Sequence, residues 1–218
     1  MTGRRGLRDS ARFLKSLVAT PRLTGAVAPS GRALARAMAA ATGAPSHGLV
    51  IELGPGTGPV TRSLIEAGLP PERLVLVEYD HAFCGLLKQR FAPAAIVEGD
   101  AYDLPGALVE FAGRPIAAVV SSLPLLNQPP HRRAKLIADA FALMGLAGVF
   151  VQFTYGLVSP IPREACAKRY SAHRGRRIWR NLPPACVWTY RLDVQAGGEG
   201  AALRRASNAL SEKGSDAA

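Results

Sequence analysis

The chain has 218 residues, 48% of them apolar and 20% charged, and 27 Lys and Arg against 16 Asp and Glu give a net charge of +11. That length suits one ordinary domain with a full core, and no apolar run approaches the ~20 residues that span a bilayer. Cys84, Cys166 and Cys186 match no metal-ligand spacing, so reduced structural thiols are expected and a metal site is not.

The charge is unevenly spread. Residues 1–48 carry eight Arg or Lys against Asp9, and residues 163–180 carry seven against Glu164. Two basic segments are therefore expected to flank a near-neutral domain, a balance that suits nucleic acid or an anionic membrane.

Residues 1–28 are expected to form a basic amphipathic helix and a connector. Over 5–19, Leu7, Ala11, Leu14 and Val18 share one helical face, with Phe13 and Leu17 beside it and Arg8, Arg12 and Lys15 opposite. Such a helix suits two placements: packed on the domain with its basic face in water, or lying in a membrane interface with its cations among anionic headgroups. The N-terminal stretch lacks the apolar centre and small-residue cleavage site of a signal peptide, so none is expected.

The main domain is expected over 29–195. Ser30 is a candidate cap for a helix over 31–41. Strands are predicted at 48–53, 73–78, 95–98, 116–120 and 148–153, with helices at 59–67, 80–91, 104–112 and 130–144 between them. This alternation predicts an α/β fold with a mainly parallel sheet covered by helices on both faces. Beyond 156 the pattern loosens, although residues 187–192 alternate like a strand. Residues 196–218, rich in Gly, Ala and Ser, are expected to be a disordered tail.

The most informative stretch is Val50–Gly58, an apolar run that reaches Glu52 and then Gly54, Gly56 and Gly58 at every second position. It reads as a buried strand ending in a turn that passes close to a ligand, because glycine tolerates positive φ. A second apolar run ends in Glu78, 20 residues beyond Gly58. That carboxylate is placed to accept ribose hydroxyls, as in the nucleoside-binding half of a Rossmann-like unit. A dinucleotide would rest its pyrophosphate on the helix N-terminus, where Glu52 would repel it. An ammonium group would instead be welcome, which favours an amino-acid-bearing nucleoside such as S-adenosylmethionine. Asp100 and the segments Ser121–Asn127 and Gln152–Tyr155 follow later strands, at the edge where open α/β sheets bind ligands.

The pattern Glu52-x-Gly54-x-Gly56-x-Gly58 resembles the first motif of the class I methyltransferases. The resemblance implies S-adenosylmethionine as cofactor, with Glu52 and the glycine loop holding the methionine moiety, Glu78 the ribose and Asp100 the adenine amino group. Ser121 would join this set. Ser122-Leu123-Pro124-Leu125 stands where amino-group methyltransferases carry Asn-Pro-Pro-Tyr or Asn-Leu-Pro-Tyr. Leu125 occupies the position whose aromatic ring stacks on a flipped base, a departure that argues against adenine methylation.

The fuller segment Ser121–Asn127, with Gln152-Phe153-Thr154-Tyr155-Gly156 and Ser159-Pro160, is similar to the bacterial phospholipid N-methyltransferases. Thr24–Ser30 and the basic N-terminus are similar to that family too. The resemblance implies methylation of phosphatidylethanolamine toward phosphatidylcholine by a cytoplasmic enzyme seated on the inner face of the membrane. Arg8, Arg12, Phe13, Leu14, Lys15 and Leu17, together with basic 163–180, would meet the anionic lipid surface. A direct displacement by the amine needs alignment above all. Tyr155 is the candidate for orienting the amine, with Asn127 and the backbone near Ser122 as partners. His131 and His173 are weaker candidates for a base, and Trp179, Trp188 and Tyr190 for a cation–π cradle. A ribosomal RNA adenine dimethyltransferase is the rival resemblance, carried by Glu-Leu-Gly-Pro-Gly-x-Gly, with nucleic acid the less favoured partner.

Overall fold

A computed structural model describes residues 30–166, 170–181 and 183–193. The expected N-terminal helix, its membrane-facing residues and the expected tail over 196–218 lie outside the described residues.

The helices begin and end where local chemistry requires. Helix α1 spans Ser30–Ala41. After strand β1, Leu49–Leu53, the glycine turn leads into α2, Pro59–Glu66, with proline at its first position. Proline suits that position because its missing N–H would have had no intrahelical partner. Strand β2, Leu74–Glu78, leads to α3, His81–Phe91, capped by the Asp80 carboxylate, which accepts the N–H groups of Ala82 and Phe83. Strand β3, Ala95–Glu98, is followed by the short helix α4, Leu104–Ala107. The helix expected over 104–112 stops early, and a separate 3-10 turn occupies Val109–Phe111. Strand β4, Ile116–Ser121, precedes α5, Pro130–Met144, which ends at Gly145 with positive φ. Strand β5 is Val149–Thr154, α6 is Arg163–Cys166, β6 is Tyr170–Arg174 and β7 is Cys186–Leu192.

The seven strands form one sheet in the order β3-β2-β1-β4-β5-β7-β6. Strands β1 to β5 pair in parallel, and β7 runs antiparallel to both β5 and β6. Strands β1 and β2 are buried at every position, as central parallel strands with both faces covered require. On one face Met38 of α1, Leu64 of α2 and Leu87 of α3 pack with Val50, Leu76 and Val120. On the other, Leu104 of α4 and Ile137 and Phe141 of α5 pack with Ile51, Val77, Val119 and Phe150.

The basic segment 163–180 departs from the expectation of an appendage, since β6 lies within it and completes the sheet edge. Only Tyr170 of that strand is buried, stacked on Phe141 at 4.9 Å between ring centroids. An edge strand with one buried side chain needs no apolar run, so cations are tolerated along it.

Candidate active site

The carboxyl ends of β1 to β4 converge on an open cleft lined by Gly54, Glu78, Tyr79, Phe83, Asp100, Tyr102, Leu123, Pro124 and Gln128 among others. Backbone hydrogen bonds carry the sheet past its last strand residues: Gly54 N–H donates to Val77 O, Ser122 N–H to Leu53 O and Gly99 N–H to Glu78 O, each at 2.9 Å. The cleft walls therefore hang from the sheet.

The glycine turn is held from three sides. Gly56 N–H donates to Glu78 Oε2 at 3.0 Å, and Arg90 donates to Thr57 O at 3.2 Å. Gly58, at φ +81, faces the Phe91 ring, and an added Cβ would stand 2.2 Å from that ring. Gly56 differs: at φ +58 an added Cβ would meet nothing within 4 Å. Gly58 is thus required by protein packing, whereas Gly56 needs glycine only for its left-handed backbone.

Glu78 is nearly buried. Its Oε1 accepts the N–H groups of Tyr79 and Asp80 at 2.9 and 3.0 Å. A carboxylate offers about four acceptor sites; three are filled by backbone N–H groups, which leaves about one for a ribose hydroxyl. Asp100 Oδ1 accepts Tyr102 N–H at 2.9 Å, fixing the turn after β3 without a helix cap. Tyr102 carries the Arg132 guanidinium over its ring at 4.9 Å. Burial raises its phenol pKa well above the ordinary value, and its hydroxyl is buried without a partner.

Glu52 lies behind the turn. It is fully buried on the α2 face of the sheet, where Oε2 accepts the Thr61 hydroxyl at 2.7 Å. Its Oε1 is buried without a partner. Desolvation pushes the carboxyl up to about 8 from its ordinary 4.5, partly offset by the Thr61 hydrogen bonds. That rise favours the protonated form at neutral pH in the cofactor-free protein. Ser121 is likewise fully buried, its Oγ accepting Leu123 N–H at 3.4 Å. Of the expected cofactor residues, Gly54, Glu78 and Asp100 line the cleft.

The loop after β4 forms the opposite wall. Leu123 and Pro124 line the cleft, while Leu125 is 1% exposed and packs in the core. A 3-10 turn over Leu125–Asn127 makes that inward rotation. Gln152 pins the loop: fully buried, its Nε2 donates to Leu123 O at 3.0 Å and to Phe153 O at 2.7 Å. Asn127 is exposed and Ser122 half-buried. Tyr155, 41% exposed, packs edge-on against Phe153 at 5.4 Å. Burial raises its phenol pKa, and an interaction with the Asn181 side chain opposes the rise. The loops bearing Asn127 and Tyr155 meet where Leu126 lies against Gly156. His131 and His173 are both exposed. Trp188 stacks on Tyr190 at 6.4 Å.

Sequence reasoning missed Tyr79, Phe83, Tyr102 and Gln128 as cleft residues. Position was the available signal, since Tyr79 directly follows Glu78 and Tyr102 follows Asp100 by two.

Strand order, the reversed last strand and the glycine turn together define the fold of the class I S-adenosylmethionine-dependent methyltransferases. The cofactor of that fold, S-adenosylmethionine, fits the residues present: the Gly54 turn, a free acceptor site on Glu78 and aromatic walls at Tyr79 and Tyr102. The 1,6-didemethyltoxoflavin-N1-methyltransferase of Burkholderia thailandensis superposes with a TM-score of 0.61, at 19% identity over 86% of this chain and 87% of its own. The ornithine lipid N-methyltransferase of Singulisphaera acidiphila is 35% identical over 109 residues, 49% of this chain and 57% of that protein. The ribosomal RNA small subunit methyltransferase A of Chlorobium luteolum is 26% identical over 163 residues, 70% and 58% of the two chains. The chain therefore spans less than two thirds of these two curated relatives. No family model matches it.

Proposed function

We propose that this chain is an S-adenosylmethionine-dependent N-methyltransferase whose acceptor is the primary amine of a membrane lipid headgroup, with phosphatidylethanolamine as the leading candidate. The observation that carries the acceptor class is the wall after β4. Leu123, Pro124 and Gln128 face the cleft and Leu125 is turned into the core, so that loop offers no ring on which a flipped base would stack. Similarity to the ornithine lipid N-methyltransferase supports a lipid amine.

Bound in the cleft, the cofactor supplies an electrophilic methyl group to the attacking amine. The protein's own part is alignment. Glu78 and the glycine turn fix the nucleoside, and Gln152 sets the position of the Leu123 carbonyl. Tyr155 and Asn127 are not among the residues that line the cleft, but their loops meet at Leu126 and Gly156, and they are proposed to orient the amine. The enzyme would work at the inner face of the cytoplasmic membrane, held by its N-terminal basic segment.

Expression in a bacterial host that lacks phosphatidylcholine tests the reading. New mono-, di- or trimethylated phosphatidylethanolamine is expected. Methylated ornithine lipid in a host that makes it would keep the lipid class and change the headgroup. A folded, cofactor-binding protein that methylates neither would refute the proposal. Similarity to ribosomal RNA small subunit methyltransferase A favours a second reading, and methyl transfer to small-subunit RNA under the same conditions would establish it.

A further inference from the structure

Eight large hydrophobic side chains are exposed among the described residues, and their distribution is lopsided. Val109 and Leu146 precede β4 and β5, at the amino edge of the sheet. Tyr79, Leu126, Tyr155, Leu157, Val158 and Trp179 follow strands or sit on the β6–β7 turn, at the carboxyl edge where the cleft opens. Scattered exposed apolar residues are ordinary, but a cluster around a site mouth marks an interaction surface.

Leu157 and Val158 are each 68% exposed, yet their loop is anchored on both sides. Thr154 Oγ1 accepts Gly156 N–H at 3.0 Å before them. After them Ser159 Oγ bonds Ile161 O and the Tyr190 hydroxyl, both at 2.8 Å, and Arg133 donates to Pro160 O at 2.7 Å. Two adjacent aliphatic side chains are thus held outward by a fixed loop.

The β6–β7 turn stands beside this loop, where Asn181 meets Tyr155. Trp179 is 75% exposed, with the Arg177 guanidinium 5.2 Å from its ring centroid. Arg174, Arg176 and Arg180 are exposed around it, and the sequence has no acid between Glu164 and Asp193. Aliphatic tips, an indole and a cationic rim without counter-charges are the composition that enters an anionic lipid interface.

Resting on the lipid-amine reading, we infer that this carboxyl edge docks into an anionic bilayer. Leu157, Val158, Leu126 and Trp179 enter below the headgroups and the arginines of the β6–β7 turn pair with lipid phosphates. The docking presses the cleft mouth against the headgroup plane, so an amine need not leave the membrane to reach the site.

Tryptophan fluorescence of the full chain, mixed with vesicles of phosphatidylethanolamine and phosphatidylglycerol, tests the surface. Trp179 emission is expected to shift to the blue and to be quenched by lipids brominated on the acyl chains, and Trp179→Phe should remove both changes. Leu157→Ser combined with Val158→Ser should weaken vesicle partitioning about tenfold while S-adenosylmethionine affinity is unchanged. Absent vesicle binding overturns the inference, as does vesicle-bound protein whose Trp179 emission stays that of water. Protection of Trp179 by RNA but not by vesicles overturns it in favour of nucleic acid. Insertion of Trp179 without any lipid methylation would sustain the surface and refute the proposed reaction.

Discussion

Replacing Glu52 by glutamine isolates the consequence of burying an acid behind the cofactor turn. The unfolded chain releases this proton near its ordinary 4.5 and the folded protein near 8. Between those values the folded state binds more protons, so stability is fullest below about pH 4.5 and falls as pH rises toward 8. A tenfold change in proton affinity corresponds to about 1.4 kcal/mol. On that scale the loss is about 3 kcal/mol by pH 7 and about 5 kcal/mol once the folded carboxyl ionises. Glutamine copies the protonated acid: its carbonyl can accept the Thr61 hydroxyl, and its amide occupies the place of Oε1. Urea unfolding of the cofactor-free protein from pH 5 to 9 reads the difference. Glu52→Gln should match the parent within about 1 kcal/mol at pH 5 and exceed it by about 3 kcal/mol at pH 7. Stability curves that stay parallel across this range would refute the buried, protonated carboxyl.

Gly56→Val should abolish S-adenosylmethionine binding by calorimetry at a stability cost of about 1–2 kcal/mol, because the site has room but the backbone is left-handed. Gly58→Ala should instead destabilise the fold by more than about 2 kcal/mol, since its Cβ collides with Phe91; thermal unfolding separates the two. Glu78→Ala removes the acceptor of three backbone N–H groups, so a loss of about 2–4 kcal/mol on urea unfolding is expected together with cofactor affinity. Tyr155→Phe should leave the melting temperature within a few degrees and lower the methylation rate at least about tenfold; an unchanged rate would remove Tyr155 from the acceptor site.

The central sheet was legible because β1, β2, β4 and β5 are apolar runs punctuated by Gly, Pro or a carboxylate, and parallel strands buried on both faces produce that pattern. Strand β6 was not, because an edge strand with only Tyr170 inside carries no periodic signal. Glu78 could be read from its place at the end of β2. The ionisation of Glu52 could not, since it depends on α2 closing over β1 and shutting out water. Leu125 shows a related limit. Motif position assigns it to the ligand, but a single 3-10 turn rotates it into the core and hands the wall to Leu123 and Pro124. Tyr79 and Tyr102 were within reach of the rule that ligands gather beyond strand ends, had that rule been extended one or two residues past each carboxylate.

Of the connections at the carboxyl edge, the turn between β6 and β7 returns to the sheet directly, because β7 alone runs against its neighbours. The loops after β1 to β5 all lead into helices whose packing constrains them. The exposed positions around Trp179 are therefore free to vary, whereas Ile178 and Ala185, bridged to each other and packed against the core, tie the base of this turn to the sheet. A substitution at either of those two positions would reach through the sheet edge to the layer in which Met38, Leu64 and Leu87 pack, so the hairpin joins an open tip to a fixed root.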